Sequence, residues 1–104
     1  MPSRYEPCGL TQIYALRFGT PPVATAVGGL RDTITPFPDK EATGFTFAKP
    51  DPDLFFEAIE LAIAAWHERK EWKKMIKRAM LKEFTWDCSA DEYIKLYRKL
   101  GARI

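Results

Sequence analysis

Apolar residues at Leu10, Ile13, Tyr14 and Phe18 fall on one helix face, at spacings i, i+3, i+4 and i+8. They predict a first helix that starts at Cys8 or Gly9 and stops at Gly19. Pro21-Pro22 then forces an extended chain, and Val23-Ala24-Thr25-Ala26-Val27 reads as a short strand. That run lacks polar alternation, as in a strand covered on both faces. Gly28-Gly29 reads as a break, and Arg31 to Thr35 as a short strand or a turn. Thr35-Pro36-Phe37-Pro38-Asp39 is a loop, and Gly44 to Phe47 another short strand. Asp51-Pro52 opens a helix with Asp at N-cap and Pro at N1. Its expected buried face is Phe55, Ala58, Ile59, Ala62 and Trp66. A helix from about Glu68 to Lys82 follows, with Trp72, Met75, Ile76, Ala79 and Met80 on one side. The last helix is expected to bury Tyr93, Ile94, Tyr97 and Leu100 and to stop at Gly101. Ser89-Ala90-Asp91-Glu92 fits a capping box at its start, with Thr85 as the rival N-cap.

Strands followed by helices give an α/β class with a few short parallel strands and about four helices. That is too little sheet for a doubly wound nucleotide-binding domain, which has about six strands. The chain therefore reads as the back part of a larger α/β domain. Residues 1–49 would supply loops, a helix and strands, and residues 50–104 the C-terminal helices.

Composition narrows the class. The 104 residues are 46% hydrophobic and 29% charged, the profile of a soluble globular protein. No apolar run approaches the roughly 20 residues that a bilayer requires, so no membrane association is expected. A net charge of +2 is too small to argue for a nucleic-acid partner. Cys8 and Cys88 form no metal-ligand spacing, so no metal is expected. The first residues hold no apolar core of a secretory signal, so a cytoplasmic location is expected.

The most informative stretch is Glu6-Pro7-Cys8-Gly9-Leu10-Thr11-Gln12. A helix beginning here would aim the free amides of Cys8, Gly9, Leu10 and Thr11, and its positive dipole end, at a phosphate. A carboxylate at Glu6 would repel a bare phosphate. It fits a ligand in which Glu6 accepts hydrogen bonds from sugar hydroxyls while the helix start holds a diphosphate. An ordinary cap loop with a solvated Glu is the plainer alternative. His67, the only histidine, stands on a helix beside Glu68 and reads as a surface residue. Cys8 has no histidine near it in sequence to serve as a base. The lysines and arginines from Lys70 to Arg78 read as a solvated face. The rival function is a stand-alone small binding module that uses that basic face on an anionic partner.

The run Pro2 to Gly19 resembles the signature of bacterial glycogen synthases and plant starch synthases. Gly28-Gly29-Leu30-Arg31-Asp32-Thr33-Ile34, Ala42-Thr43-Gly44-Phe45-Thr46-Phe47 and Phe84-Thr85-Trp86 resemble that family's later motifs, in the same order. The resemblance implies part of the Rossmann-like C-terminal domain of a GT-B glycosyltransferase. It implies transfer of glucose from ADP-glucose to the non-reducing end of an α-1,4-glucan, with retention and with no cofactor or metal. Glu6 would position the donor sugar as the catalytic-site carboxylate. Cys8, Gly9, Leu10 and Thr11 would bind donor and phosphate, and Gly28 and Gly29 would form a ligand-adjacent loop. The partners implied are ADP-glucose, the α-glucan and the N-terminal part of the enzyme. A homo-oligomer through exposed apolar surface and, for a plant protein, a plastid location are also expected.

The chain departs from the family pattern in places. Tyr14 stands where many GT-B enzymes carry a ribose-binding Glu, and Val27 where the family has Ser or Thr. The family's Lys-x-Gly-Gly-Leu loop, its catalytic histidine and its diphosphate-neutralising Arg and Lys have no counterpart here. The isolated chain is therefore expected to be inactive.

Overall fold

The computed structural model describes residues 1–101. In chain order the elements are α1 (Thr11–Arg17), β1 (Val23–Thr25), α2 (Gly28–Thr33), β2 (Phe45–Phe47), α3 (Pro52–His67), α4 (Arg69–Leu81) and α5 (Trp86–Lys99). β1 and β2 pair in parallel, with Val23 opposite Phe45 and Thr25 opposite Phe47. α2 forms the crossover between them, so β1–α2–β2 is a small parallel α/β unit. The fold class read from the chain stands.

Both faces of the sheet are covered, as the apolar run of β1 requires. On one face Ala24 packs with Leu30 and Ile34. On the other, Phe45 packs with Ala42, Ala65 and Met75, and Val23, Phe37 and Trp72 close around them. Phe45 also lies between the rings of Phe37 and Trp72, at 5.3 and 6.2 Å. α3 begins as its sequence dictates: the Asp51 carboxylate accepts from the amides of Asp53 and Leu54 at 3.0 and 3.2 Å. No helix among the described residues is long and apolar enough to cross a membrane.

Several expectations are corrected. The segment from Gly28 to Thr33 is a helix, not a break followed by a strand or turn. Leu30 and Ile34 are one turn apart and both buried, which holds this short helix to β1 despite its two leading glycines. α1 starts at Thr11, and its buried residues are Gln12 and Leu16. Leu10, Tyr14 and Phe18, three of the four residues of its apolar stripe, are exposed. The polar ties of Gln12, described below, set the roll of this helix and turn its apolar stripe outward. Trp66 is only partly covered, 41% exposed, with the Arg69 guanidinium 3.5 Å above its ring. α5 is capped by Thr85, whose hydroxyl accepts from the Cys88 amide, and Ser89 lies inside the helix. α5 buries none of its residues, so Tyr93, Tyr97 and Leu100 face solvent and Ile94 is half covered.

Candidate functional site

The loop from Glu6 to Leu10 lies across the start of α2. The Glu6 carbonyl accepts from the Gly29 amide at 2.9 Å. The two backbones meet so closely that a side chain has no room between them. A Cβ on Gly28 would stand 2.0 Å from the Glu6 carbonyl oxygen, and one on Gly29 would stand 2.2 Å from that of Cys8. Gly28 also takes a φ of 46°, a conformation that glycine adopts without strain. Gly28-Gly29 thus seats the loop, a role visible in the backbone contacts themselves.

Gln12 locks the same junction from below. Its side chain is fully buried. Nε2 donates to the carbonyls of Cys8 and Gly9 at 2.6 and 3.1 Å and to the Thr33 hydroxyl at 3.3 Å. Thr33 in turn donates to the Gly29 carbonyl at 2.6 Å. One amide therefore ties the loop, α1 and α2 together. It holds the Cys8 and Gly9 carbonyls inward, so the opposite, amide side of the loop is left at the surface. The sequence reading passed over Gln12 and Thr33. The signal available was a polar residue four positions before buried Leu16, inside an apolar-looking helix.

The expected site residues come together. The Glu6 side chain runs beside Gly9, its Cγ 3.1 Å from where a Gly9 Cβ would stand. Glu6 is half-buried and makes no side-chain hydrogen bond or ion pair among the described residues. Cys8, Leu10 and Thr11 are exposed. The amides of Cys8, Gly9 and Leu10 donate to no backbone carbonyl among the described residues. One half-buried carboxylate and three amides without a backbone partner among the described residues thus share one corner of the surface. Along α1, a hollow of about 460 Å³ is lined by Tyr14, Arg17, Lys82 and Phe84 among others.

Other candidates lie elsewhere. His67 sits against Trp66 at the end of α3, ring centroids 5.2 Å apart. Within the basic run of α4, the Arg78 guanidinium donates to the Ala42 carbonyl at 3.0 Å, and Lys74 pairs with Glu71 at 2.9 Å. That hydrogen bond and charge hold the Glu71 carboxyl below its ordinary value.

Residues 1–79 match the family described as glycosyl transferases group 1. The glycogen synthase of Geotalea daltonii is 48% identical over 105 residues, which span 99% of this chain and 22% of that protein. Glycogen synthase 2 of Nitrosococcus oceani is 45% identical over 105 residues, 96% of this chain and 21% of its own. Among solved structures, the catalytic domain of starch synthase IV from Arabidopsis thaliana bound to ADP and acarbose superposes with a TM-score of 0.81. It is 36% identical over 94% of this chain and 21% of that one. Sucrose-phosphate synthase from Thermosynechococcus elongatus gives a TM-score of 0.64 at 39% identity, over 95% of this chain and 24% of that one. The chain thus spans about a fifth of the length of the relatives it matches.

Proposed function

The chain belongs to the group 1 glycosyl transferases, and from that membership we propose that it carries the donor-sugar corner of a glycogen or starch synthase. The donor is ADP-glucose, and glucose passes with retention to the non-reducing end of an α-1,4-glucan. The observation that carries this reading is the Glu6–Thr11 loop, held by Gln12 and Gly28-Gly29 with Glu6 beside Gly9 and its amide side open. That such a corner takes ADP and a saccharide is supported by the starch synthase IV neighbour, a structure bound to ADP and acarbose.

In this reading Glu6 accepts hydrogen bonds from the glucose hydroxyls. The amides of Cys8, Gly9, Leu10 and Thr11, with the Thr11 hydroxyl, take the distal phosphate. Donors fixed before the reaction stabilise the charge that collects on the departing ADP without reorganising. Positioning by Glu6 counts toward rate where its hydrogen bonds tighten as positive charge develops on the sugar. The acceptor side and most of the cationic charge on the diphosphate come from the remainder of the enzyme. The isolated chain accordingly transfers no glucose, and no metal takes part. The glycogen synthases it resembles are bacterial, and a cytoplasmic site of action goes with that reading.

A chimera tests this. The present chain replaces the matching segment of the Geotalea daltonii glycogen synthase, and transfer of labelled glucose from ADP-glucose to glycogen is measured. The expected result is an active chimera beside an inactive isolated chain. A folded chimera with no transfer overturns the proposal.

A further inference from the structure

Between the loop that follows α2 and the last turn of α4 lies a hollow of about 310 Å³, lined by Thr35, Glu41, Thr43, Arg78, Leu81 and Lys82. It shares no residue with the Glu6–Thr11 corner. Arg78 is half-buried, and its guanidinium is fixed from across the chain: Nε donates to the Ala42 carbonyl at 3.0 Å, 36 residues away. That bond uses one of five donors, so the four N–H of the terminal nitrogens have no partner among the described residues. Lys82 follows one turn later, and its ammonium reaches only the Thr35 hydroxyl, at 3.4 Å. Neither cation pairs with a carboxylate among the described residues. The loop beside them is held by its own bonds. The Thr35 amide donates to the buried Thr43 hydroxyl at 3.1 Å, and the Thr43 amide donates to the Thr35 carbonyl at 2.9 Å. Glu41 is exposed at the hollow, and its carboxylate makes no hydrogen bond or ion pair among the described residues.

Like charges at i, i+4 on a helix repel. The negative end of α4 draws cations to its last turn, but that attraction does not explain a guanidinium fixed by a loop carbonyl beside a hollow. We propose that the hollow binds a small sugar phosphate. The phosphate takes the free fork of Arg78 and the Lys82 ammonium, since a planar guanidinium matches two phosphate oxygens at once. An anion between the two cations also removes their repulsion. Glu41 repels a bare anion and accepts hydrogen bonds from hydroxyls, so it selects a phosphate that carries a polyol over phosphate alone. The volume stands at the small end of ligand pockets, which run from about 300 to 1,000 Å³. Two cations against one carboxylate leave a single positive charge, which suits a monophosphate better than a polyanion. An extended polyanion would instead run along the exposed Lys70, Lys73 and Lys77 of the same helix. The inference does not rest on the donor-site reading.

The probe is ribose 5-phosphate, a phosphomonoester with free hydroxyls, compared with ribose and with inorganic phosphate. NMR titration of the full chain reads the Arg78 Nε–H and the amides of Thr35 and Thr43, while the amides of Cys8 to Leu10 report the other corner separately. The expected result is saturable binding at the first set, with a Kd of about 1 mM or below, weaker binding of phosphate and none of ribose. Lys82→Gln should weaken binding about tenfold or more, the loss of one charge-assisted hydrogen bond, and Lys82→Arg should keep it. Lys73→Gln removes the same charge from α4 outside the hollow and should leave the affinity unchanged. Glu41→Gln should tighten phosphate and narrow its gap to ribose 5-phosphate. Circular dichroism checks that each variant keeps the fold. Four results overturn the proposal: no saturation by about 5 mM ribose 5-phosphate, shifts confined to Cys8 to Leu10, equal loss in Lys82→Gln and Lys73→Gln, or phosphate binding as tightly as ribose 5-phosphate. Glucosyl transfer enters none of these readouts, so failure of the donor-site reading leaves this test intact.

Discussion

Gly29→Ala puts one methyl group where the structure has no space for it. The new Cβ would stand 2.2 Å from the Cys8 carbonyl oxygen, 2.3 Å from its Cα and 2.6 Å from its carbonyl carbon. All three are backbone atoms, so no rotamer relieves the contact. Ordinary contacts of this kind lie near 3.5 Å, so the loop or α2 must shift by about 1 Å. Overpacking of this sort costs about 1–3 kcal/mol. The shift also weakens the hydrogen bond from the Gly29 amide to the Glu6 carbonyl, 2.9 Å long, worth about 0.5–1.5 kcal/mol. Alanine's better helix propensity returns about 1 kcal/mol. The net loss is about 2 kcal/mol, or a fall in melting temperature of roughly 8–16 °C for a domain of this size. Thermal unfolding by circular dichroism measures it. An unchanged midpoint would refute the claim that the Gly28-Gly29 backbone seats the Glu6–Thr11 loop.

The other predictions use the same corner and the outer surface. In the chimera, Glu6→Gln keeps shape and loses charge. Turnover should fall roughly 10- to 150-fold, the equivalent of losing a charge-assisted hydrogen bond, with little change in donor KM; unchanged turnover in a folded enzyme would reduce Glu6 to a loop residue. Thr11→Val should weaken ADP and ADP-glucose alike in calorimetric titrations, because both carry the distal phosphate; selective weakening of ADP-glucose would put Thr11 on the sugar. Gln12→Leu leaves the Cys8 and Gly9 carbonyls without their buried donor, and should cost about 1–3 kcal/mol of stability, read as a lower denaturant midpoint with the slope unchanged. The depressed Glu71 carboxyl favours the folded state above its unfolded titration range, and that contribution is lost as pH falls through the folded one. Lys74→Ala should move the Glu71 titration, followed by NMR, upward toward its ordinary position, with Lys70 and Arg78 still holding it slightly low.

Much of the scaffold was legible from residues. The Asp51-Pro52 cap, the two short strands and the stop at Gly19 follow from local chemistry that tertiary context leaves alone. α2 was hidden because Gly28-Gly29 is a poor helix opening by propensity; what selects glycine there is a backbone contact with Glu6 and Cys8, and only the i, i+4 pair Leu30 and Ile34 hinted at a helix. The apolar stripe of α1 announced the helix but not its buried face, because a count of apolar residues cannot anticipate that one buried amide, Gln12, outranks Leu10, Tyr14 and Phe18. The candidate site was legible as a stretch, Glu6 to Thr11, because its residue types state their chemistry. Its support by Gln12 and Thr33 was not, since those partners are 21 residues apart in the chain.

α5 has one further consequence. Its 14 residues bury nothing, and lone helices of about 12–15 residues are marginal in water. Its opening is therefore decoupled from that of the core, at a free energy near zero. The short link before it carries Lys82, Glu83 and Phe84, all exposed, so a protease that cuts after lysine meets an accessible bond at Lys82 well before the protein unfolds. Limited digestion should release the last segment first and leave a trimmed body that melts at nearly the same temperature. Where a partner surface covers the Tyr93–Tyr97 side, the same bond becomes a reporter of that docking, protected in proportion to occupancy.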